Sequence, residues 1–133
     1  MPIDDSLVGR VVGPTPPYAV TQEAVASFAG AVGEAGHRVP PTFPIVVVMP
    51  ALLGLLEQER VELARIIHGD QKFAYERPVR LGDELRATVT ITAVRRLRGS
   101  AVIRTSAEVT DAGSGELVCT TASTLVHREE ETL

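Results

Sequence analysis

Residues 40–57 read PPTFPIVVVMPALLGLLE, and how this stretch folds decides the rest. Pro44 falls where a first helical turn begins, and Thr42 is the expected N-cap. From Ile45 to Leu56 there is no charged side chain, and apolar residues point in every direction around a helical wheel. A helix that is apolar all round belongs in an interior, with Leu53 among its buried positions. The run is too short to cross a bilayer, which takes ~20 apolar residues. Val46, Val47 and Val48 are β-branched and would also suit a buried strand. The continuation ALLGLLEQE favours helix, and Pro50 predicts a kink or an early break near Val46. Such a helix needs something wrapped around it.

The second half of the chain supplies the wrapper. In residues 85–93 (LRATVTITA), small or apolar residues alternate with Arg and Thr, the period of a half-buried antiparallel strand, expected over 84–97. Arg98, Gly99 and Ser100 predict a turn. Ala101, Ile103, Thr105, Ala107 and Val109 then line one face of a second strand, with Arg104, Ser106 and Glu108 opposite. DAGSG, residues 111–115, predicts another turn. A third strand over 117–127 puts Leu117, Cys119, Thr121, Ser123 and Leu125 on one face. Residues 65–77 form a further strand, with Phe73 and Tyr75 sharing a face with Ile67, and Pro78 closes it. Upstream, Pro14, Pro16 and Pro17 enforce an extended path after an apolar patch at 7–12, which reads as an edge strand. Residues 21–32 form a helix capped by Thr21, with Val25, Phe28, Ala29 and Val32 on one face and Gly33 as its stop. The tail, residues 128–133, is acidic, and fraying is expected there.

The 133 residues fit one domain spanning 1–133 and one modest core. A net charge of −4 argues against a nucleic-acid partner. Cys119 is the only cysteine, so the chain forms no internal disulfide and no cysteine-based metal cluster. The N-terminal MPIDDSLVG is acidic without an apolar core segment, so a cytoplasmic setting is expected and no membrane partner. Two helices, one of them buried, against four long antiparallel strands make an α+β arrangement, the hot-dog fold. Its sheet leaves edges, which commonly pair with a second copy.

PPTF (residues 40–43), HGDQKF (68–73) and RPVRLGD (77–83), at these separations, resemble the MaoC-like dehydratases. The likeness is greatest to the branch of the mycobacterial hydroxyacyl-thioester dehydratase A subunit, the "N-terminal half of MaoC dehydratase" group. The helix EAVASFAGAVGE fits the same pattern, and the similarity covers nearly the whole chain. The resemblance implies a dimer of hot dogs and reversible dehydration of (R)-3-hydroxyacyl thioesters to trans-2-enoyl thioesters. It implies an acyl carrier protein or coenzyme A thioester as substrate and no cofactor. It also points to Pro41, Thr42 and Phe43 as substrate-binding residues.

One departure carries as much weight as the match. Catalytic members have G-D-x-N-P-x-H soon after the first helix, and its Asp and His act as a general acid/base pair. Here the chain reads GEAGHRVP at 33–40, with no Asn-Pro and a connector shortened by more than a dozen residues relative to that pattern. The dyad therefore maps onto no residue of this chain. Glu34 and His37 could form a substitute pair, but solvated loop residues are the simpler reading. His68 and Asp70, two apart on a strand, are set on one face; a structural histidine is as good a reading there as chemistry. The three histidines show no metal-ligand spacing. No motif marks Cys119 or Ser123 as a nucleophile. Glu57 sits where some hot-dog thioesterases place a carboxylate, within a run of solvated acids. Arg95, Arg96 and Arg98 form the one basic cluster, suited to an anionic carrier or simply to a solvated hairpin tip.

Two functions from different classes follow. In the first, the chain is a structural and substrate-binding subunit, a heterodimer partner to a catalytic MaoC-like protein. In the second, it is a self-sufficient homodimeric dehydratase or acyl thioesterase with a noncanonical site.

Overall fold

A computed structural model describes residues 3–31 and 39–128. Two short strands, β1 (Val11–Val12) and β2 (Tyr18–Ala19), precede helix α1 (Gln22–Ala31). The central helix α2 (Ile45–Gln58) follows, then four long strands: β3 (Ile66–Tyr75), β4 (Glu84–Leu97), β5 (Ser100–Asp111) and β6 (Leu117–Arg128). They form one antiparallel sheet in the order β1-β4-β5-β6-β3, with β2 also on β4. The sheet curves around α2, which is the hot-dog arrangement expected from the sequence. The N-terminal edge strand expected over 7–12 is present but reduced to Val11–Val12, which pairs with β4; a single-turn 3-10 helix, Asp5–Leu7, precedes it.

The alternation read from the sequence builds the core. Leu85, Ala87, Val89 and Ile91 of β4 are fully buried, as are Ala101, Ile103 and Val109 of β5. Against them α2 buries Val47, Val48, Leu52, Leu55 and Leu56. Each large side chain so buried contributes about 1.5–3 kcal/mol.

The helix departs from expectation in three respects. It runs through Pro50 without a break; only the hydrogen bond to the Val46 carbonyl is forgone, because proline lacks the N–H. Thr42 does not cap through its side chain; its carbonyl accepts from the Ile45 N–H at 3.1 Å, and Pro44 enters the helix with φ −56°. Nor is α2 buried all round. Leu53 is half-buried, and Pro50 and Gly54 are exposed, so among the described residues nothing covers this apolar outward face. The helix ends at Arg60, whose φ of 64° lets the Val61 N–H reach back to the Leu56 carbonyl at 2.9 Å, with Val61 buried beneath. The Thr21 cap is present: its Oγ1 accepts from the Ala24 N–H at 3.0 Å. Val32 and Gly33, expected to close α1, lie outside the described residues, as does the tail beyond Arg128.

Bulges correct the sequence reading of faces. The register slips between Ile91 and Ala93, so Ala93 pairs with Arg104 on the outer face, and Val94, opposite Ile103, takes the inner one. A second slip sets Thr110 opposite Leu117; Leu117 leaves the inner face, and Val118 is fully buried in its stead. A third, between His68 and Asp70, bears on the site. Gly13 holds the N-terminal segment against β4: its φ is +107°, and a Cβ there would lie 2.4 Å from the Ala87 carbonyl oxygen.

Candidate functional site

Part of the residues singled out from sequence lie at two places: His68, Phe73 and Tyr75 on the inner face of β3, and Pro41, Thr42 and Phe43 at the entry to α2. β3 ends the sheet, so its outer edge has no partner strand among the described residues. Its pairing with β6 fixes which way each side chain faces. Tyr75 lies opposite Cys119, Phe73 opposite Thr121, Gln71 opposite Ser123 and His68 opposite Leu125. Those four residues of β6 are buried, so Tyr75, Phe73, Gln71 and His68 share the inner face, the side occupied by α2.

The slip at Gly69 sends Asp70 and Ile67 to the outer face. His68 and Asp70 therefore do not share a face, and Ile67 is not beside Phe73 and Tyr75. Strict period-two counting fails here because a bulge inserts one unpaired residue and inverts the phase beyond it. His68 instead bonds through Nε2 to the Asp70 carbonyl and to Gln71 Oε1, each at 3.1 Å. Ser123, nearly fully buried, donates its hydroxyl to the same Gln71 oxygen.

At the entry to α2, Phe43 is fully buried. Its ring meets Phe28 of α1 edge-on at 5.6 Å and Tyr18 of β2 at 6.2 Å. It anchors three elements and presents no surface. Thr42 and Pro41 are exposed. Pro41 helps line a groove of about 590 Å³ between residues 39–41 and 75–79. The Tyr75 hydroxyl donates to the Pro41 carbonyl and ties the end of β3 to this entry. Phe73 stacks on Tyr75 at 6.5 Å. Burial pushes the Tyr75 phenol well above its usual range. It also pushes the Cys119 thiol up to about 11, so Cys119 is protonated at neutral pH and is not poised as a nucleophile.

Sequence reasoning did not single out Arg77. Its guanidinium bonds Asp83 at 2.9 Å, Glu116 at 2.8 Å and Asp111 at 3.3 Å. Nη1 also donates to the Pro78 carbonyl at 2.9 Å. The Arg and Asp of RPVRLGD are thus two halves of one lock, which joins the β3–β4 turn to the β5–β6 turn. With three carboxylates around it, Arg77 is no receptor for an anionic ligand. The signal lay in the sequence as an arginine before a proline and an aspartate after a turn glycine, but nothing local tells that the third and fourth partners come from 111 and 116.

The Asp111 carboxylate is held below its usual range, first by the Ser114 N–H and then by the Gly113 N–H, with Arg77 adding to them. A depressed carboxyl pKa stabilises the fold above its unfolded value of ~3.9, and that stabilisation is lost as pH falls through the folded value. Thermal unfolding across a pH series is therefore expected to hold steady near neutrality and to fall off below about pH 4. Asp111→Asn should start lower and lose less on acidification. Asp4, lowered by its bonds to Ser6, acts in the same sense and remains in the variant.

The three arginines do not form one patch. Arg96 lies opposite buried Ala101, on the inner side, and donates to the Ile3 carbonyl at 3.3 Å. Arg95 is on the opposite face and Arg98 is in the turn; both are exposed. Glu57 is exposed at the end of α2. His127 sits on the inner side of β6, opposite Ala101. Glu34 and His37 lie outside the described residues. Among the described residues, no cluster of His, Cys, Asp or Glu is placed to hold a metal, and no helix is long and apolar enough to cross a membrane.

Comparison with known proteins agrees with this geometry. Residues 35–121 match the family described as FAS1-like, dehydratase domain region. The UPF0336 protein Lxx02810 of Leifsonia xyli is 40% identical over 149 residues, covering 98% of this chain and 99% of its own length. The UPF0336 protein SCO4636 of Streptomyces coelicolor gives the same identity and coverage. Both alignments are longer than this 133-residue chain, so these relatives carry residues within the matched span that it lacks. Among solved structures, a MaoC-like dehydratase superimposes with a TM-score of 0.80 at 28% identity, covering 94% of this chain and 43% of that one. The C-terminally truncated HadBC (3R-hydroxyacyl-ACP dehydratase) complex of Mycobacterium tuberculosis gives 0.76 at 24% identity, covering 90% and 96%.

Proposed function

This chain belongs to the FAS1-like dehydratase-region family and, with its relatives, to the UPF0336 proteins; from that premise we propose that it is the substrate-binding and structural subunit of an (R)-3-hydroxyacyl-thioester dehydratase. A hot-dog partner bearing the Asp/His pair completes the enzyme, which serves fatty-acid or polyketide assembly. The observation that carries this reading is the ten-residue edge strand β3, whose inner face shows Phe73, Tyr75, Gln71 and His68 only partly covered. A row of unpaired backbone groups beside a mixed aromatic and polar face is what a subunit interface looks like before its partner arrives. The outward face of α2, with Pro50 and Gly54 exposed and Leu53 half-buried, offers a second apolar surface.

The lack of G-D-x-N-P-x-H supports the division of labour, and the longer alignments of the relatives agree with a shortened connector. The groove at the entry to α2, with Val39, Pro40, Pro41, Pro78 and Val79 on its walls beside Tyr75, Glu76 and Arg77, has the size an acyl chain needs. Arg95 and Arg98 at the hairpin tip give the subunit a cationic approach for an anionic carrier protein or for coenzyme A.

The test is assembly. Size measured in solution, alone and with a co-encoded hot-dog protein that contains G-D-x-N-P-x-H, should show an oligomer in the first case and a mixed pair in the second. A chain that stays monomeric at micromolar concentration and ignores that protein would refute the proposal.

A further inference from the structure

We infer that the outer face of the sheet is a docking surface for a second copy of this chain, turned about a two-fold axis so that Arg104 of each copy meets Glu108 of the other. The inference is independent of the thioester function. It concerns the side of the sheet away from α2 and leaves the β3 edge to its own partner.

The pattern starts on β5. Its outward side chains alternate with buried ones, and Arg104, Ser106 and Glu108 follow one another on the outer face. Both charged residues are exposed. They lie about 13 Å apart along the strand, at ~3.3 Å per residue, too far to pair with each other. Neither forms an ion pair among the described residues. The cross-strand neighbours of Arg104 are Ala93 and Thr124, and those of Glu108 are Thr88 and Thr120, none of them charged. Between the two charges runs a row of small side chains, Thr90, Ser106 and Ala122. A sheet so bare along its middle row can approach another face closely. The long side chains on either side then reach across the ~10 Å that separates packed sheets.

The occupant follows from the signs. An acidic partner surface would be repelled by Glu108, and a basic one by Arg104. A match needs both signs, in reverse order, at the same spacing. The same face has them when turned over about an axis along its middle row. Ser106 and Ala122 then each face their own copy, and two Arg104–Glu108 pairs form, one on each side of the axis. On β6 the same operation sets Val126 of one copy against Leu117 of the other, both half-buried. Like charges meet only toward the margins, Lys72 with its own copy and Arg95 with Arg86, where twist and curvature carry the sheets apart. The face is convex because the sheet curves around α2, so it offers neither a groove for a helix nor an edge for a strand. With no large aromatic anchor the contact is weak, leans on its charges and assembles at micromolar concentration.

The test is sedimentation of the full chain, in the oligomer in which it purifies, over a concentration series at low and high salt. Wild type should step up to twice the size of the edge-joined pair, and added salt should weaken that step. Arg104→Glu alone, or Glu108→Arg alone, turns two attractive pairs into two repulsive ones and should weaken the step by about tenfold or more. A mixture of the two single variants should restore it, because each offers the sign the other needs. The double variant Arg104→Glu/Glu108→Arg should restore it too. Both positions are exposed, so circular dichroism and the edge-joined pair should be unchanged throughout. If the chain purifies as a monomer, the edge pairing falls, the step is from one copy to two, and the same variants decide it. Absence of any step in wild type up to submillimolar concentration would overturn the inference. So would single variants that associate like wild type, or a mixture or double variant that fails to recover.

Discussion

Leu52→Asp is expected to leave no soluble folded protein. Leu52 is fully buried where α2 lies against the sheet. The substitution forfeits about 2–5 kcal/mol of packing and strands a carboxylate without a partner, costing several kcal/mol more. A domain of this size has a total stability of only ~5–15 kcal/mol. Its neighbour Leu53 is the informative comparison, because the sequence alone makes the two look equivalent. Leu53 faces outward and is half-buried, so Leu53→Asp should fold as a single chain and fail to associate. Circular dichroism and size measurement on the two variants check this together. Folded Leu52→Asp, or unfolded Leu53→Asp, would mean that α2 is rotated from the orientation described.

The second large effect concerns turnover. The isolated chain is expected to hydrate crotonyl and longer enoyl thioesters at close to the background rate. No residue matches the Asp and His of the catalytic motif, and a positioned acid or base is worth about 10²–10⁴-fold. Adding the partner that carries the motif should restore a rate increase of at least that order. The measurement is enoyl-thioester hydration by the chain alone, by the partner alone and by the mixture. Robust turnover by the chain alone, abolished in both Glu34→Ala and His37→Ala, would overturn the division of labour and make the loop between α1 and α2 the catalytic element.

Most of the fold was legible because its signals are local. The period-two runs gave β4, β5 and β6 to within a residue or two of their bounds, and Thr21 marked its helix. What could not be read is set by distant contacts. Pro50 suggests a break, yet packing of α2 on β4 holds the helix together, and losing one hydrogen bond is tolerable inside a well-packed helix. The three bulges leave no mark in composition, since any residue can be the unpaired one. For that reason period-two counting puts Leu117, Ala93, Ile67 and Asp70 on the wrong faces, while Cys119, Thr121 and Ser123 keep the alternation that their sequence spacing predicts. The site was legible in part. HGDQKF and RPVRLGD drew attention to the right strand and turn, but the roles of Gln71 and Arg77 depend on Ser123, Asp111 and Glu116, which only the fold brings near.

The two margins of the sheet are unlike, and this limits how far such molecules can add to one another. One margin is β3, ten residues long and without a partner strand among the described residues. The other is occupied by β1 and β2, two residues each, joined through Pro14, Pro16 and Pro17, which have no N–H to offer. In the language of polymer chemistry the molecule is monofunctional: it has one reactive end and one capped end. Joining two such units consumes both reactive ends, so edge-to-edge growth terminates at the pair instead of propagating into a fibre.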